Sequence, residues 1–175
     1  MQEGLARLHY LVDSATLGLV TGPSGAGKST LLKRFLHDVP RQQCETVYCH
    51  LTHLKSTGLM KTLISQLGEN PQWGKERLFQ QILDRAARSE STLLIIIDEA
   101  HLLDGETLTD LRLLVSSAID AGPPLKLLLV GQLCCFNCCR QGANGGTLRI
   151  WKRNPLSTRM IIAVNGSHLI QIRTK

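Results

Sequence analysis

The residues between two apolar segments near the start of the chain have types and spacing that could bind phosphate. The stretch LGLVTGPSGAGKSTLLKRFL, residues 17–36, places three glycines, a lysine and a serine between the two segments. From Gly22 to Ser29 it fits the spacing G-x-x-x-x-G-K-[ST] at every fixed position. Glycines let several main-chain N–H groups turn inward, and a following helix directs its positive dipole end at the same point. The pattern therefore predicts a phosphate-binding loop.

Two side chains of this stretch suit a bound nucleotide. Lys28 supplies a mobile positive charge for the outer phosphates, and the hydroxyl of Ser29 is a ligand for Mg²⁺. The alternative interpretation is an ordinary glycine turn before an amphipathic helix. We favour the phosphate-binding interpretation because an apolar strand pattern precedes the loop and a helical pattern follows it.

A second motif, LLIIIDEAH at residues 93–101, carries two adjacent carboxylates. Five aliphatic residues predict a buried strand that delivers Asp98 to its carboxyl end, where ligands bind in parallel sheets. Asp98 is then placed to hold Mg²⁺, and Glu99 can polarise a water for attack on a phosphate. The alternative is a pair of solvated acids at the end of a strand. A kinase would need no second carboxylate of this kind.

The elements that must position these residues alternate between helix and strand. Helices are predicted at 3–12, 27–38, 56–68, 75–88 and 104–120, and strands at 15–22, 45–51, 92–98 and 124–131. Such alternation predicts an α/β fold in which helices cover both faces of a central parallel sheet.

Length and composition favour one globular domain. The chain has 175 residues, of which 43% are hydrophobic, and this suits a single packed core. The longest aliphatic run, at 93–97, is far shorter than the ~20 residues of a membrane span. The first residues lack the apolar segment of a signal peptide, so we expect a cytoplasmic protein with reduced thiols.

The net charge of +6 is located entirely in the last part of the chain. Residues 1–131 carry 13 basic against 14 acidic residues, whereas residues 132–175 carry 7 basic residues and no acid. The basic character is therefore not a nucleic-acid surface on the main body.

The ordered set of motifs resembles AAA+ ATPases of the ExeA-type general-secretion and TniB-like transposition-helper group. The resemblance covers residues 3–132 and includes GLARLHYLV, the glycine loop, LMKTLISQLGE, LLIIIDEAHLL, LTDLRLLVSSAID and LKLLLVGQ, in that order. It implies a three-layer P-loop NTPase fold of the AAA+ (ASCE) type over residues 1–132.

The resemblance also implies a set of site residues. ATP would be bound by nine consecutive residues, Gly22, Pro23, Ser24, Gly25, Ala26, Gly27, Lys28, Ser29 and Thr30. Asp98 would bind Mg²⁺ together with Ser29. Glu99 would be the catalytic acidic residue, and Lys28 would assist catalysis. Gln132 would occupy the sensor position that contacts the γ-phosphate or the attacking water; the alternative is a loop glutamine.

After Gln132 the chain departs from the family pattern, which would continue with an amphipathic helix, a fifth strand and a helical lid. Residues 133–175 form instead a basic tail that contains CCFNCC. One interpretation of the tail is a zinc site at Cys135 and Cys138, but such a site would lack a second pair of ligands. Nucleic-acid binding would use Trp151 among basic residues. We favour a third interpretation, that the tail results from a frame change or truncation, with the lid absent and the tail not folded as in the family.

The altered tail bears on activity. The family uses arginines from a neighbouring subunit and from the lid, and an arginine finger is worth ~10³–10⁵ in rate. The tail offers candidates by residue type only, namely Arg140, Arg149, Arg153 and Arg159. We therefore expect weak hydrolysis by this chain alone, and a homo-oligomer in the intact family form.

The sequence thus predicts an ATPase module that couples ATP binding and hydrolysis to partner assembly. The resemblance implies either a transposition helper, with a transposase and DNA as partners, or a component of a secretion complex. The alternative is a nucleotide-binding chain that does not hydrolyse ATP. A two-domain helicase is excluded by length, so His101 of DEAH is interpreted as a polar loop residue, and the other histidines receive no role.

Overall fold

The fold is described from a computed structural model of the chain. It describes six ranges of residues: 2–40, 42–50, 54–121, 124–132, 160–164 and 168–172.

Helices and strands alternate along the first 131 residues as predicted. The helices are α1 (Gln2–Ser14), α2 (Lys28–Asp38), α3 (Ser56–Gln66), α4 (Lys75–Arg88) and α5 (Gly105–Ala121). The strands are β1 (Leu17–Thr21), β2 (Cys44–His50), β3 (Thr92–Asp98) and β4 (Leu125–Gly131), followed by β5 (Met160–Val164) and β6 (His168–Ile172). A 3₁₀ turn, Ala100–Leu102, follows β3.

The strands form one sheet in the order β2-β3-β4-β1-β5-β6. The first four strands in this order pair in parallel, so the predicted parallel sheet is confirmed. β5 pairs antiparallel with β1, and β6 pairs antiparallel with β5. These last two strands were not predicted from the sequence. The described residues after β4 include no helix, and no lid is seen among them.

Helices cover both faces of the parallel strands, which makes the predicted three layers. On one face, α3, α4 and α5 pack over Leu93, Ile95 and Ile97 of β3. On the other face, α1 and α2 pack over Leu94 and Ile96. All five side chains are fully buried, which explains why β3 is aliphatic without polar alternation. Among the described residues, no helix has the length and apolar character needed to cross a membrane.

Candidate functional site

The strand register brings the two sequence motifs to one edge of the sheet. β1 ends at Thr21, which pairs with Gly131 at the end of β4. β3 ends at Asp98, which pairs with His50 at the end of β2. Because β4 lies between β1 and β3, Asp98 is two strand spacings, roughly 10 Å, from the strand that leads into the glycine loop.

The glycine loop connects β1 to the first residue of α2. Gly25 and Gly27 have φ values of 76° and 83°, a left-handed conformation that side chains rarely adopt. A Cβ atom at either position would meet nothing within 4 Å, so glycine is required here by backbone conformation and not by crowding. Gly27 is the N-cap of α2 and provides no side-chain hydrogen bond to the helix.

The loop and the start of α2 offer main-chain N–H groups to a ligand. Within the described residues, the amides of Gly25, Gly27, Lys28, Ser29 and Thr30 donate to no main-chain carbonyl. Such unsatisfied amides and the positive end of the helix dipole make an anion site. This arrangement fits a polyphosphate.

The ammonium group of Lys28 lies within the loop. Its Nζ donates hydrogen bonds to the carbonyl oxygens of Gly22 and Pro23, each at 2.9 Å, and the residue is buried. These carbonyls hold the positive charge in the same loop as the unpaired amides. By contrast, Pro23, Ser24 and Ser29 are exposed at the mouth of the loop.

Asp98 is a buried carboxylate with two hydrogen-bond donors. The residue is 2% exposed. Its Oδ2 accepts a hydrogen bond of 2.7 Å from the hydroxyl of Tyr48, and its Oδ1 accepts one of 2.9 Å from the main-chain N–H of Glu99. His50 Nδ1 lies 3.9 Å from Oδ2. Tyr48 is itself 37% exposed, and partial desolvation together with the bond to Asp98 raises the pKa of its hydroxyl above the ordinary value.

Asp98 belongs to the face of the sheet that α2 covers. Side chains alternate along a strand, so Asp98 follows Leu94 and Ile96, which pack in one cluster with Leu31 and Leu32 of α2. The carboxylate is therefore on the same side of the sheet as the helix that carries Lys28 and Ser29. A hydroxyl and a carboxylate are oxygen ligands of the kind Mg²⁺ prefers, so these two residues fit a magnesium–nucleotide complex.

The Glu99 side chain contacts a histidine to which the sequence analysis gave no part in the site. Glu99 has a left-handed backbone conformation, with φ 53° and ψ 32°, which is uncommon for a residue other than glycine. Its Oε2 is 3.1 Å from Nδ1 of His101, whose side chain is 11% exposed. The main-chain N–H of Gln132 donates to the same nitrogen at 3.4 Å. His101 is thus a half-buried neighbour of Glu99 and Gln132.

Tyr48 and His101 were not predicted to lie at the site from the sequence. For Tyr48, the spacing along β2 gave a usable signal. Tyr48 lies two residues before His50, so it is on the same face and diagonal to Asp98 once the register is known. The candidate zinc ligands Cys135 and Cys138, together with Trp151 and the four candidate arginines of the tail, lie outside the described residues.

A comparison with protein families identifies an AAA domain over residues 12–136. No curated protein sequence matches the chain significantly.

Solved structures share the fold at low sequence identity. Cdc6p from Pyrobaculum aerophilum matches with a TM-score of 0.65 and 15% identity, covering 80% of this chain and 41% of that one. The Aeropyrum pernix ORC2 protein in its ADP form matches with a TM-score of 0.62 and 17% identity, covering 80% and 42%. Drosophila ORC bound to AT-rich DNA and Cdc6 gives 0.56 and 16%, covering 78% and 51%. The matched part therefore spans about two fifths to one half of each of these chains.

The bond between Tyr48 and Asp98 can be tested with the two tyrosines of the chain. In a Tyr10→Phe variant, Tyr48 is the only tyrosine. We expect its ultraviolet absorbance to titrate at higher pH in the folded protein than in urea, because burial and Asp98 both disfavour the phenolate. Because the pKa of Tyr48 is higher in the folded state, its protonated hydroxyl contributes to stability at every pH below the unfolded-state pKa of about 10. This contribution is lost as the pH rises through the folded-state pKa.

The matched variant Tyr48→Phe loses the hydrogen bond to Asp98 and should lower the free energy of unfolding at neutral pH by about 1 kcal/mol. Tyr10 is exposed, so Tyr10→Phe should change this free energy by less than ~0.5 kcal/mol. Equal titration midpoints for Tyr48 in the folded and unfolded chain would contradict the assignment.

Proposed function

The chain belongs to the AAA domain family, and from this premise we propose that it is an ATP-binding module that couples ATP binding and hydrolysis to assembly with a partner. The observation that carries the proposal is the placement of the glycine loop and the Asp98–Glu99 pair at one edge of the sheet. A phosphate loop alone would serve many reactions. The added carboxylate pair favours hydrolysis over transfer to a second substrate.

Nucleotide binding is assigned to residues 22–30. The N–H groups of Gly25, Gly27 and the first turn of α2 would hold phosphate oxygens, and Lys28 would exchange its carbonyl partners for the outer phosphates. Pro23, Ser24 and Ala26 complete the loop, and Thr30 lies in the first turn of α2.

Magnesium binding is assigned to Ser29 and Asp98. When bound, the ion would neutralise phosphate charge. Tyr48 and the amide of Glu99 fix the two oxygens of Asp98, so the carboxylate is held in one orientation before any ion arrives. Such fixed orientation reduces the reorganisation that binding requires.

The role of general base is assigned to Glu99. The side chain is 30% exposed, so water can reach it, and its neighbour Asp98 is engaged by two hydrogen bonds. Gln132, which follows β4 directly, would contact the γ-phosphate or the attacking water.

For the biological setting we propose a DNA-transposition helper, with a secretion-associated ATPase as the second candidate. Support for the first comes from the solved structure of Drosophila ORC, which shares this fold and is described as bound to DNA and to Cdc6. From the family resemblance given in the sequence analysis, we also propose that the protein forms a homo-oligomer and that its partner is a transposase. A cytoplasmic location is part of the proposal, and the free thiols of Cys44 and Cys49 agree with it.

We further propose that residues 1–132 form the functional core and that the tail supplies no efficient arginine finger. Hydrolysis by the isolated chain would then be slow, below about one turnover per second. The limiting case is a chain that binds nucleotide without hydrolysing it.

Nucleotide binding is tested by thermal denaturation with and without Mg·ATP. At 100 times Kd, ATP should add about 2.7 kcal/mol to the stability of the parent chain. Lys28→Ala should lose most of this increment because the phosphate charges lose their cation. Lys33→Ala, an exposed lysine of the same helix, should keep it. Equal increments in all three proteins would contradict the assignment of the loop.

Hydrolysis is tested by phosphate release from Glu99→Gln. The amide cannot accept a proton, so we expect release to fall by ~10²–10⁴-fold while ATP binding is kept. Glu106→Gln, at an exposed glutamate of α5, is the matched control and should release phosphate like the parent chain. Parent activity that does not exceed that of Glu99→Gln would establish the non-hydrolysing alternative.

The DNA setting is tested by fluorescence anisotropy of a labelled DNA duplex. If ATP controls assembly on DNA, affinity should rise at least several-fold on adding Mg·ATP, and Lys28→Ala should show no such rise. Affinity that depends on salt but not on ATP would reflect only the basic tail. That outcome, or no binding, would refute the transposition setting.

A further inference from the structure

The loop between α3 and α4, residues 67–74, presents an aromatic side chain to solvent. Trp73 is 84% exposed, more than any other large hydrophobic side chain among the described residues. The Nζ of Lys61 lies 4.9 Å from the centroid of its ring, a cation–π contact. Tryptophan and arginine are enriched among the residues that carry most of the binding energy at protein interfaces. Trp73 is therefore a candidate contact with another molecule.

The loop is held in place by two side chains of α4. The amide of Gln81 donates to Glu69 Oε2 at 2.9 Å and to the carbonyl of Asn70 at 3.0 Å. Its oxygen accepts a hydrogen bond of 3.2 Å from the main-chain N–H of Gln72. Arg88 donates to the other oxygen of Glu69 at 2.8 Å. A surface that is ordered in advance loses less conformational entropy when a partner binds.

A cavity of about 380 Å³ adjoins the loop and contains a guanidinium group without a partner. Its lining includes Gln72, the residue before Trp73, and Arg77 of the first turn of α4. The two carboxylates of the lining already accept hydrogen bonds from side chains of α4. Arg77 is exposed and makes no hydrogen bond or ion pair with any residue in the described part of the chain. The cavity therefore offers a free cation to a ligand.

We propose that Trp73 and Arg77 form a docking site for a short segment of a partner protein that carries a carboxylate next to an apolar side chain. The carboxylate would pair with the guanidinium group of Arg77, which can bind it through two N–H groups. The apolar side chain would pack on the exposed ring of Trp73. This inference rests on the proposed function for the existence of a partner, and it adds the chemistry by which that partner is recognised.

The distribution of charge favours this occupant over two others. The tail of the chain, residues 132–175, contains no Asp or Glu, so it has no carboxylate side chain to supply. Nucleic acid is bound through several contacts between phosphates and Lys or Arg. Residues 1–131, however, carry 13 basic against 14 acidic residues, and beside Arg77 the site adds only Lys61. Two cations suit a segment with one or two carboxylates.

The site is tested by selecting binders from a displayed library of random short peptides. Selection on the full parent chain should enrich peptides in which Asp or Glu lies close to an aromatic or aliphatic residue. Trp73→Ala and Arg77→Gln should not enrich these peptides, whereas the control Arg112→Gln, at an exposed arginine of α5, should enrich them like the parent. No enrichment on the parent chain, or the same peptides on all four chains, would overturn the proposal.

The pairing of the carboxylate with Arg77 is tested by fluorescence anisotropy of the most enriched peptide. Trp73→Ala should raise its Kd by roughly 10-fold or more. Replacing the carboxylate of the peptide by an amide should weaken binding to the parent chain but not to Arg77→Gln, because the pair is already lost there. Equal weakening in both chains would overturn the pairing. A labelled single-stranded DNA that binds more tightly than the peptide, and loses this binding in Trp73→Ala, would assign the site to nucleic acid and overturn the proposal.

The outcome is separable from that of the proposed function. The peptide measurements contain no nucleotide, and both side chains are exposed, so the variants should fold and keep the stabilisation by Mg·ATP of the parent chain. A parent chain that bound peptide but not ATP would refute the proposed function alone. A parent chain that bound ATP but enriched no such peptide would refute the docking site alone.

Discussion

The hydrogen-bond register of the four parallel strands is the constraint on which the rest of the structure depends. Parallel pairing places every carboxyl end at one edge of the sheet, and the pairing of Thr21 with Gly131 and of His50 with Asp98 fixes the height of each end. A slip of one residue in β3 would move Asp98 to the opposite face, away from α2. The aliphatic residues that bury β3 on both faces thereby also determine where the carboxylate lies.

At that edge, the Lys28 ammonium and the Asp98 carboxylate are each held by hydrogen-bond partners. The carbonyl oxygens of Gly22 and Pro23 hold the ammonium of Lys28, while Tyr48 and a main-chain amide hold Asp98. A buried charge without such partners would cost several kcal/mol. The proposed binding of nucleotide would keep the partners of Asp98 and would require Lys28 to exchange its two carbonyl contacts for phosphate oxygens.

The sequence predicted those features that depend on local pattern and on parallel topology. The spacing from Gly22 to Ser29 and the run before Asp98 placed both motifs at strand ends, and the order of elements placed those ends together. Tyr48 and His101 were missed because their contacts depend on register across strands and on the 3₁₀ turn after Glu99. β5 was missed because a short apolar segment in an acid-free tail gave no reason to expect antiparallel pairing with β1.

The most direct measurement is a crystal structure of the chain with Mg·ADP. The diphosphate should contact the amides of Gly25 and of residues 27–30 and the ammonium of Lys28. Mg²⁺ should contact Ser29 and lie within one water molecule of Asp98. A nucleotide bound elsewhere on the molecule, or a metal ion with no direct or water-mediated contact to Asp98, would refute the proposed site.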